Sequence, residues 1–541
     1  MVLKNSLIFI NELTEYVFDQ IRKIYLSSTF YNRKISKTDH ESLNYVPSLI
    51  LLSAIVKIGQ KKYKIEEIDL NTIWTNNKII KKDFIKIQNF YWLFSLDLKS
   101  SKKNVQNIIE SWIDKNLNYN SEIWENDILS KRVISWISNS SLTYEESSEI
   151  YKEKFNFMIK KQINHLINEI NRSKNLDDKI ISCAAIILTG LSFNDQKFLN
   201  FGFDLLNKII SSSINNLSFP KSRNFRQLIF YLKYFILIRE FLKESQNEIP
   251  DKLNEVIYNL GQGYNLIWQS KNINFLFNGN HISDNSDFDK YLKTNEYKFK
   301  NENYEISGYG ILRNNNTCLT MDIGNAPDKK FSESYQAGPL SFEITYSGEK
   351  LITNSGYYQN QKHQLHRISK TTANHSTLIL NNTSTSRFVK NRKGQYLLDK
   401  NFKISNKNII YDKNYWSIKA THDAYLKKFG ITHERKIEFF PLENKFIGTD
   451  KIVRKKNKVF PFEIRFHLLP STKVTKTQDE KSILIQTVNS GWRFYCKNHL
   501  LDIETGLYFG NKNSYVENQN IFIADNIVEN NQEIIWICEK I

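Results

Sequence analysis

Two neutral amides and an imidazole are the reactive groups that spacing draws together in this chain. Gln336, Asn354 and His375 fall in one stretch, Tyr335–Leu380, which opens YQAGPLSFEITYSGEKLITNSGYY and closes TTANHSTLIL. Between them runs a polar span carrying His363, His366 and Arg367. An imidazole can take up or release a proton near neutral pH, and an amide both donates and accepts hydrogen bonds. Such a trio can hold strands together or serve a reaction. No glycine-rich phosphate loop, serine–histidine–aspartate order or metalloprotease helix motif appears in the chain, which sets those chemistries aside.

The elements that would position the trio follow from periodicity. Leu340, Phe342, Ile344 and Tyr346 alternate with Ser341, Glu343 and Thr345, the pattern of a half-buried strand. Ser347-Gly348-Glu349-Lys350 is a turn signal, and Leu351 to Asn354 returns as the second arm of a hairpin. A third strand is predicted from His375 to Leu380, ending at Asn381-Asn382. The three polar side chains then converge at one end of a sheet.

The chain has 541 residues, more than one core normally supports, so two large domains are expected. From the N-terminus to about Ile267 the periodicity is helical, with Phe84, Ile87, Phe90, Tyr91 and Phe94 as one apolar stripe. Trp112, Trp124 and Trp136 are expected to be buried, and Ser6 to Tyr25 reads as a peripheral first helix. Many sequential helices joined by polar connectors make an array of hairpins, and periodicity leaves both a ring and a solenoid open. From Tyr304 the texture changes to short alternating strands with Gly and Asn turns.

A net charge of +18 suits a polyanionic partner. The lysines are spread with no long basic run, which equally suits solvated positions in a chain rich in Lys, Asn and Ile. Without a recognised module, nucleic-acid binding is not expected. The four cysteines are widely separated and lack metal or disulfide spacing, so buried free thiols are expected. The opening MVLKNSLIFINELTEY is broken by Asn11, Glu12 and Glu15 and does not read as a cleavable signal, and no stretch reaches membrane-spanning length.

LSFEI, Asn354-Ser355-Gly356 and TTANHSTL, in that order, resemble the heparinase II/III-like family of polysaccharide lyases. The resemblance continues through Thr421-His422-Asp423-Ala424-Tyr425, Gly430-Ile431-Thr432-His433-Glu434-Arg435, Arg465-Phe466-His467-Leu468-Leu469-Pro470 and Gly491-Trp492-Arg493-Phe494. It implies an α+β multidomain chain: an N-terminal extension over 1–40, an incomplete α/α toroid over 41–285, and an antiparallel β-sandwich domain over 286–541. It also implies β-elimination on an acidic, uronate-containing polysaccharide. That chemistry needs a partner for the substrate carboxylate and a base and an acid at the cleaved bond.

Residue by residue, the resemblance suggests Tyr335, His375 and Tyr425 as catalytic groups, each also readable as packing. It suggests Arg223, Asn224, Asn278 and His281 as substrate-binding, since guanidinium and amide donors both fit a carboxylate. Ser222 or Asn224 reads equally as a helix N-cap. These residues are expected to face one another across a cleft between the two domains. The family's paired histidines fall on Ser334 and Gln336, and the first of them is catalytic in its lyases. Gln336, Asn354 and His375 occupy the positions of a structural zinc; two amides replace its usual ligands poorly, so no cofactor is expected. A non-catalytic anionic-glycan binder on the same fold is the alternative. The family is often periplasmic, whereas the absence of a clear signal points to the cytoplasm or an unusual export route.

Overall fold

The computed structural model describes residues 14, 17–39, 41–56, 81–97, 102–173, 175–215, 219–267, 275–300, 303–391, 394–399, 401–455, 458–511 and 514–541. Half of the helix expected at Ser6 to Tyr25 lies outside them. The chain divides into two compact units, one of 1–213, 230–258 and 286–298, the other of 214–229, 259–285 and 299–541.

The first unit is helical. Its long helices are α1 (Lys102–Lys115), α2 (Asn126–Ser138), α3 (Glu149–Glu169), α4 (Leu176–Ser192) and α5 (Gln196–Ser213). Two more, α6 (Phe225–Glu244) and α7 (Asp251–Ile267), divide between the units. Helix α4 is apolar on every face and is buried by α2 and α5. Gly202 lets α5 press on α4, since a Cβ there would meet Ile187 Cγ1 at 2.5 Å. Trp112, Trp124 and Trp136 are buried as expected, and Arg132 is enclosed with them. Its guanidinium lies 4.2 Å from the Trp112 ring and donates to Gln162 and to the carbonyls of Gln88 and Ile123.

The second unit is built of antiparallel ladders. In chain order the first strands are β1 (Glu305–Ile306), β2 (Tyr309–Arg313), β3 (Thr317–Asp322), β4 (Phe342–Tyr346), β5 (Glu349–Ile352) and β6 (Leu378–Leu380). Then come β7 (Phe388–Lys390), β8 (Tyr396–Leu398), β9 (Ile404–Tyr411), β10 (Trp416–His422), β11 (Ile431–Phe440), β12 (Lys445–Arg454) and β13 (Pro461–His467). The last are β14 (Lys473–Lys476), β15 (Ser482–Gln486), β16 (Gly491–Cys496), β17 (Asp502–Tyr508), β18 (Val516–Asn526) and β19 (Asn531–Lys540). They form a five-stranded sheet β1-β2-β3-β4-β5, an eight-stranded sheet β14-β15-β16-β19-β12-β11-β10-β9, a four-stranded sheet β17-β18-β13-β6 and the β7-β8 hairpin. Strands β11 and β12 alternate buried with half-buried residues over ten positions each, so one face of the large sheet is core. The three larger sheets meet at Phe342, Phe466, Phe494 and Trp536, with Phe342 and Trp536 stacked at 5.4 Å.

The β4–β5 hairpin forms as the spacing predicts. Its two turn residues, Ser347 and Gly348, both have positive φ (48° and 83°), the geometry that matches the twist of the flanking strands. The predicted strand at His375–Leu380 is shorter, Leu378–Leu380, after a 3-10 turn at Thr372–Asn374. Side chains explain the loss. Ser376 Oγ donates to the Thr353 carbonyl and Thr377 Oγ1 to the Pro339 carbonyl, tying this segment to loops rather than to a ladder.

Beneath those loops lies a buried charge network. Arg435 on β11 donates through Nε and Nη2 to Asp450 on β12, and through Nη1 to the carbonyls of Leu340 (3.0 Å) and Ser376 (2.7 Å). Trp536 Nε1 and His433 Nε2 also donate to Asp450. That bond leaves His433 Nδ1 to accept from His422 Nε2, while His422 Nδ1 accepts from the Ala424 N–H. Every proton has an assigned place with both imidazoles neutral. Burial depresses both histidines, and for His433 it outweighs Asp450. Burial alone would raise Asp450, but Arg435 and His433 outweigh it and hold the carboxyl well below the carboxylate range.

The sign of the pH dependence follows. Histidines depressed in the folded state contribute stability that is complete above their unfolded value, about 6.5, and is lost as pH falls below it. Depression of Asp450 acts in the same direction, further into acid. Melting temperature is therefore expected to drop between about pH 7 and 5, and a flat profile would contradict the neutral His422–His433 pair.

Candidate active site

The segment that starts α6 belongs to the β-rich unit, with Arg223 and Asn224 inside it. Arg223 has φ +58° and points its guanidinium at the β1–β2 turn and the end of β3. Nε donates to the Ser307 carbonyl (3.0 Å), Nη2 to Gly308 O (3.0 Å) and Asp322 Oδ1 (2.6 Å), and Nη1 to Asn325 O (3.2 Å). Tyr309 packs on the guanidinium at 4.5 Å and returns a hydrogen bond to the Arg223 carbonyl. A Cβ on Gly324 would lie 2.3 Å from Arg223 Nη2, so a glycine is required there. Arg223 is 5% exposed and its donors are committed. This corrects its assignment as a carboxylate partner: it ties the helix start to the five-stranded sheet.

Asn224 behaves as the cap. Its Oδ1 accepts from the Arg226 N–H at 2.8 Å, and its Nδ2 donates to Ser334 Oγ at 3.1 Å. Asn278, at φ +47°, donates to the Tyr309 hydroxyl and accepts from the Gln336 N–H. It is buried structure rather than a substrate contact. His281 is at the edge of burial, with Nδ1 2.8 Å from Gln359 Nε2.

The three expected catalytic groups are enclosed, which corrects each of them. Tyr335 is 0% exposed in an apolar cluster with Ala326, Leu398 and Phe402, and its hydroxyl has no hydrogen-bond partner. Burial pushes its phenol far up. Tyr425 is a tether: its hydroxyl meets the carbonyls of Leu378 (3.2 Å) and Thr383 (3.1 Å). His375 is bonded through Nδ1 to the Thr371 carbonyl (2.9 Å), not to Asn354, and burial pushes it down to about 4. Its ring lies on Gly338, where a Cβ would come within 2.5 Å.

Gln336, Asn354 and His375 do not bond one another. Gln336 accepts from the Gly279 N–H and donates to the carbonyls of Gly356 (2.8 Å) and Ser369 (2.7 Å). Asn354 accepts from the Ser376 N–H and donates to Glu343, which also holds Lys350. With both amides saturated by protein groups, the donor set does not fit zinc. Gln336 bridges three loops by hydrogen bonds. Gln336→Ala is expected to cost about 1–3 kcal/mol by orphaning buried partners, whereas a chelator should leave the melting temperature unchanged. A chelator-induced drop would overturn this account.

Tyr357 and His366 form a further pair, itself buried at 6% and 1% exposed. Their rings meet edge to face at 5.2 Å. His366 lies on the six-residue helix α8 (Gln364–Ser369), capped by His363, whose Nδ1 accepts from the Leu365 N–H. The His366 Nδ1 faces the Tyr358 carbonyl at 2.8 Å, so that nitrogen carries the proton and Nε2 the lone pair. Burial lowers its pKa against the pull of that carbonyl, keeping it neutral. Tyr357 holds only a long bond, 3.4 Å, to the Glu333 carbonyl. Burial and then the Glu333 charge raise its phenol, and the Arg226 charge opposes that rise. Glu333 precedes Ser334, so the pair adjoins the Asn224–Ser334 contact. Six residues are too few to show helical periodicity, so the sequence signal here is two histidines three apart.

Residues 300–537 match the family model "Heparinase II/III-like, C-terminal". The β region is a heparinase II/III-like C-terminal domain. Among solved structures, the heparan sulfate lyase HepC mutant of Pedobacter heparinus is 14% identical, with a TM-score of 0.68 over 94% of this chain and 87% of that one. A heparinase III, also 14% identical, gives 0.65 over 94% and 88%. At these identities the likeness establishes the fold of heparinase-type polysaccharide lyases: helices first, antiparallel sheets after. FtsZ-localized protein C of Caulobacter vibrioides is 25% identical over 211 residues, 37% of this chain. That match takes in 36%, about a third, of the relative's length. No helix among the described residues is long and apolar enough to cross a membrane.

Proposed function

We propose that the protein cleaves an acidic, uronate-containing polysaccharide by β-elimination, with His366 as base and Tyr357 as acid. The observation that carries this reading is the Tyr357–His366 pair, an imidazole pinned as the neutral tautomer against a phenol. His366 Nε2 takes the proton next to the substrate carboxylate; its electron pair forms the ring C=C bond as the glycosidic C–O bond breaks. The Tyr357 O–H protonates the departing oxygen, and the phenolate recovers a proton from the imidazolium. Burial and the Glu333 charge keep Tyr357 protonated until it donates, and Arg226 offsets part of their cost to the transient phenolate. The lyase fold and the net charge of +18 support an anionic glycan.

A second reading is favoured by a specific observation. Arg223 is saturated, and Ser334 stands where the family resemblance places a catalytic histidine. On that reading the protein binds the glycan without cleaving it. Ultraviolet absorbance of an unsaturated uronate, followed with a panel of acidic polysaccharides, separates the two. Absorbance growth supports cleavage; measurable binding with no absorbance on any substrate sinks it in favour of the binder.

A further inference from the structure

The helix over residues 17–26 presents its apolar side to solvent. Ser28 then caps a second short helix, Thr29–Ile35, by accepting from the Tyr31 N–H. The pair is anchored along its inner side. Leu26, Tyr31 and Ile35 are buried, the Tyr31 hydroxyl lies 2.8 Å from His165 Nδ1, and Arg22 is paired with Glu169 at the end of α3. Val17, Phe18, Ile21 and Ile24 lie away from these anchors, and their spacing confines them to about a third of the helix circumference. They are 47–74% exposed. Phe30, 69% exposed, extends the patch, because its ring lies 6.3 Å from that of Tyr25 on the same arc. Single exposed apolar side chains are ordinary; five on one face mark a contact surface.

The charges around the patch select its partner. Arg33 and Lys34 lie one turn beyond Phe30 on the same side of the second helix, Lys37 follows, and Lys23 is on the first; all four are exposed. Over residues 17–39 these four and Arg22 stand against Asp19 and Asp39. A second copy meeting this face about a two-fold axis would bring like charges together, and the net charge of +18 adds to the repulsion. A carbohydrate polyanion would answer the charges and leave the aliphatic and aromatic side chains wet. An anionic lipid surface answers both, taking the apolar face into the acyl boundary while lysine and arginine stay among the headgroups. We propose that residues 17–37 dock the protein on an anionic membrane surface, without crossing it. This face is separate from the Tyr357–His366 pair, which belongs to the other compact unit.

Co-sedimentation of the full chain with vesicles of equimolar phosphatidylcholine and phosphatidylglycerol tests this directly. The protein is expected to pellet with them and to bind phosphatidylcholine alone about 10-fold more weakly. Rising salt should release it. Phe18→Asp combined with Ile21→Asp should abolish binding and leave the melting temperature unchanged, since both side chains face solvent. Arg33→Glu combined with Lys37→Glu should weaken binding about 10-fold with the apolar face intact. No pelleting of the parent with anionic vesicles, equal pelleting with both vesicle types, or undiminished pelleting of the Phe18→Asp, Ile21→Asp variant overturns the proposal. So does a parent dimer in light scattering that this variant dissolves, because the face would then belong to a second copy.

Discussion

His366→Ala is expected to lower turnover on an acidic polysaccharide by about 10²–10⁴-fold while substrate affinity changes little, because the variant removes the base and leaves the surrounding contacts. Tyr357→Phe should act similarly, through loss of the proton delivered to the leaving oxygen. The controls follow from burial. Tyr335→Phe deletes a hydroxyl without a partner and should leave turnover unchanged. Tyr425→Phe should cost stability alone, about 0.5–1.5 kcal/mol, since its hydroxyl bonds only backbone groups, the Leu378 and Thr383 carbonyls and the Leu380 N–H. Initial rates from the appearance of unsaturated product, with thermal melts on the same preparations, read both quantities. If Tyr335→Phe abolishes turnover and His366→Ala does not, the acid–base assignment is wrong.

Asp450→Ala is expected to destabilise the β-rich unit by about 3–5 kcal/mol. It would strand Arg435, His433 and the Trp536 N–H together in a region with no exposure at all. The damage should reach the His375 segment, because Arg435 also holds the carbonyls of Leu340 and of Ser376, the residue after His375. Denaturant unfolding followed by tryptophan fluorescence measures the loss. Asp450→Asn, which keeps an acceptor but loses the charge, should fall between the variant and the parent. A loss below about 1 kcal/mol for Asp450→Ala would show that water reaches these groups and that they are not the anchor described here.

Local pattern determined the elements and their order. Alternation at Leu340–Tyr346 and the Ser347-Gly348 turn specified a hairpin, because side-chain period and turn stereochemistry are properties of a few adjacent residues. Helical spacing likewise marked α4 and α5, and the ordered motifs marked a heparinase II/III-like β region. Burial of each reactive side chain and its partner was decided only in three dimensions. Arg223 and Asp322 are 99 residues apart, Gln336 and Gly279 are 57 apart, and nothing in either neighbourhood names the other. Arg223 looked like a ligand for a carboxylate, and it has one, but the carboxylate is the protein's own. His375 kept its motif and is tied to its own loop, while His366, equally buried, gained a fixed tautomer from a carbonyl eight residues away on a turn no periodicity announces. A side chain's type states what chemistry it can do; its desolvation and hydrogen-bond partners, which depend on remote segments, settle whether it is free to do it.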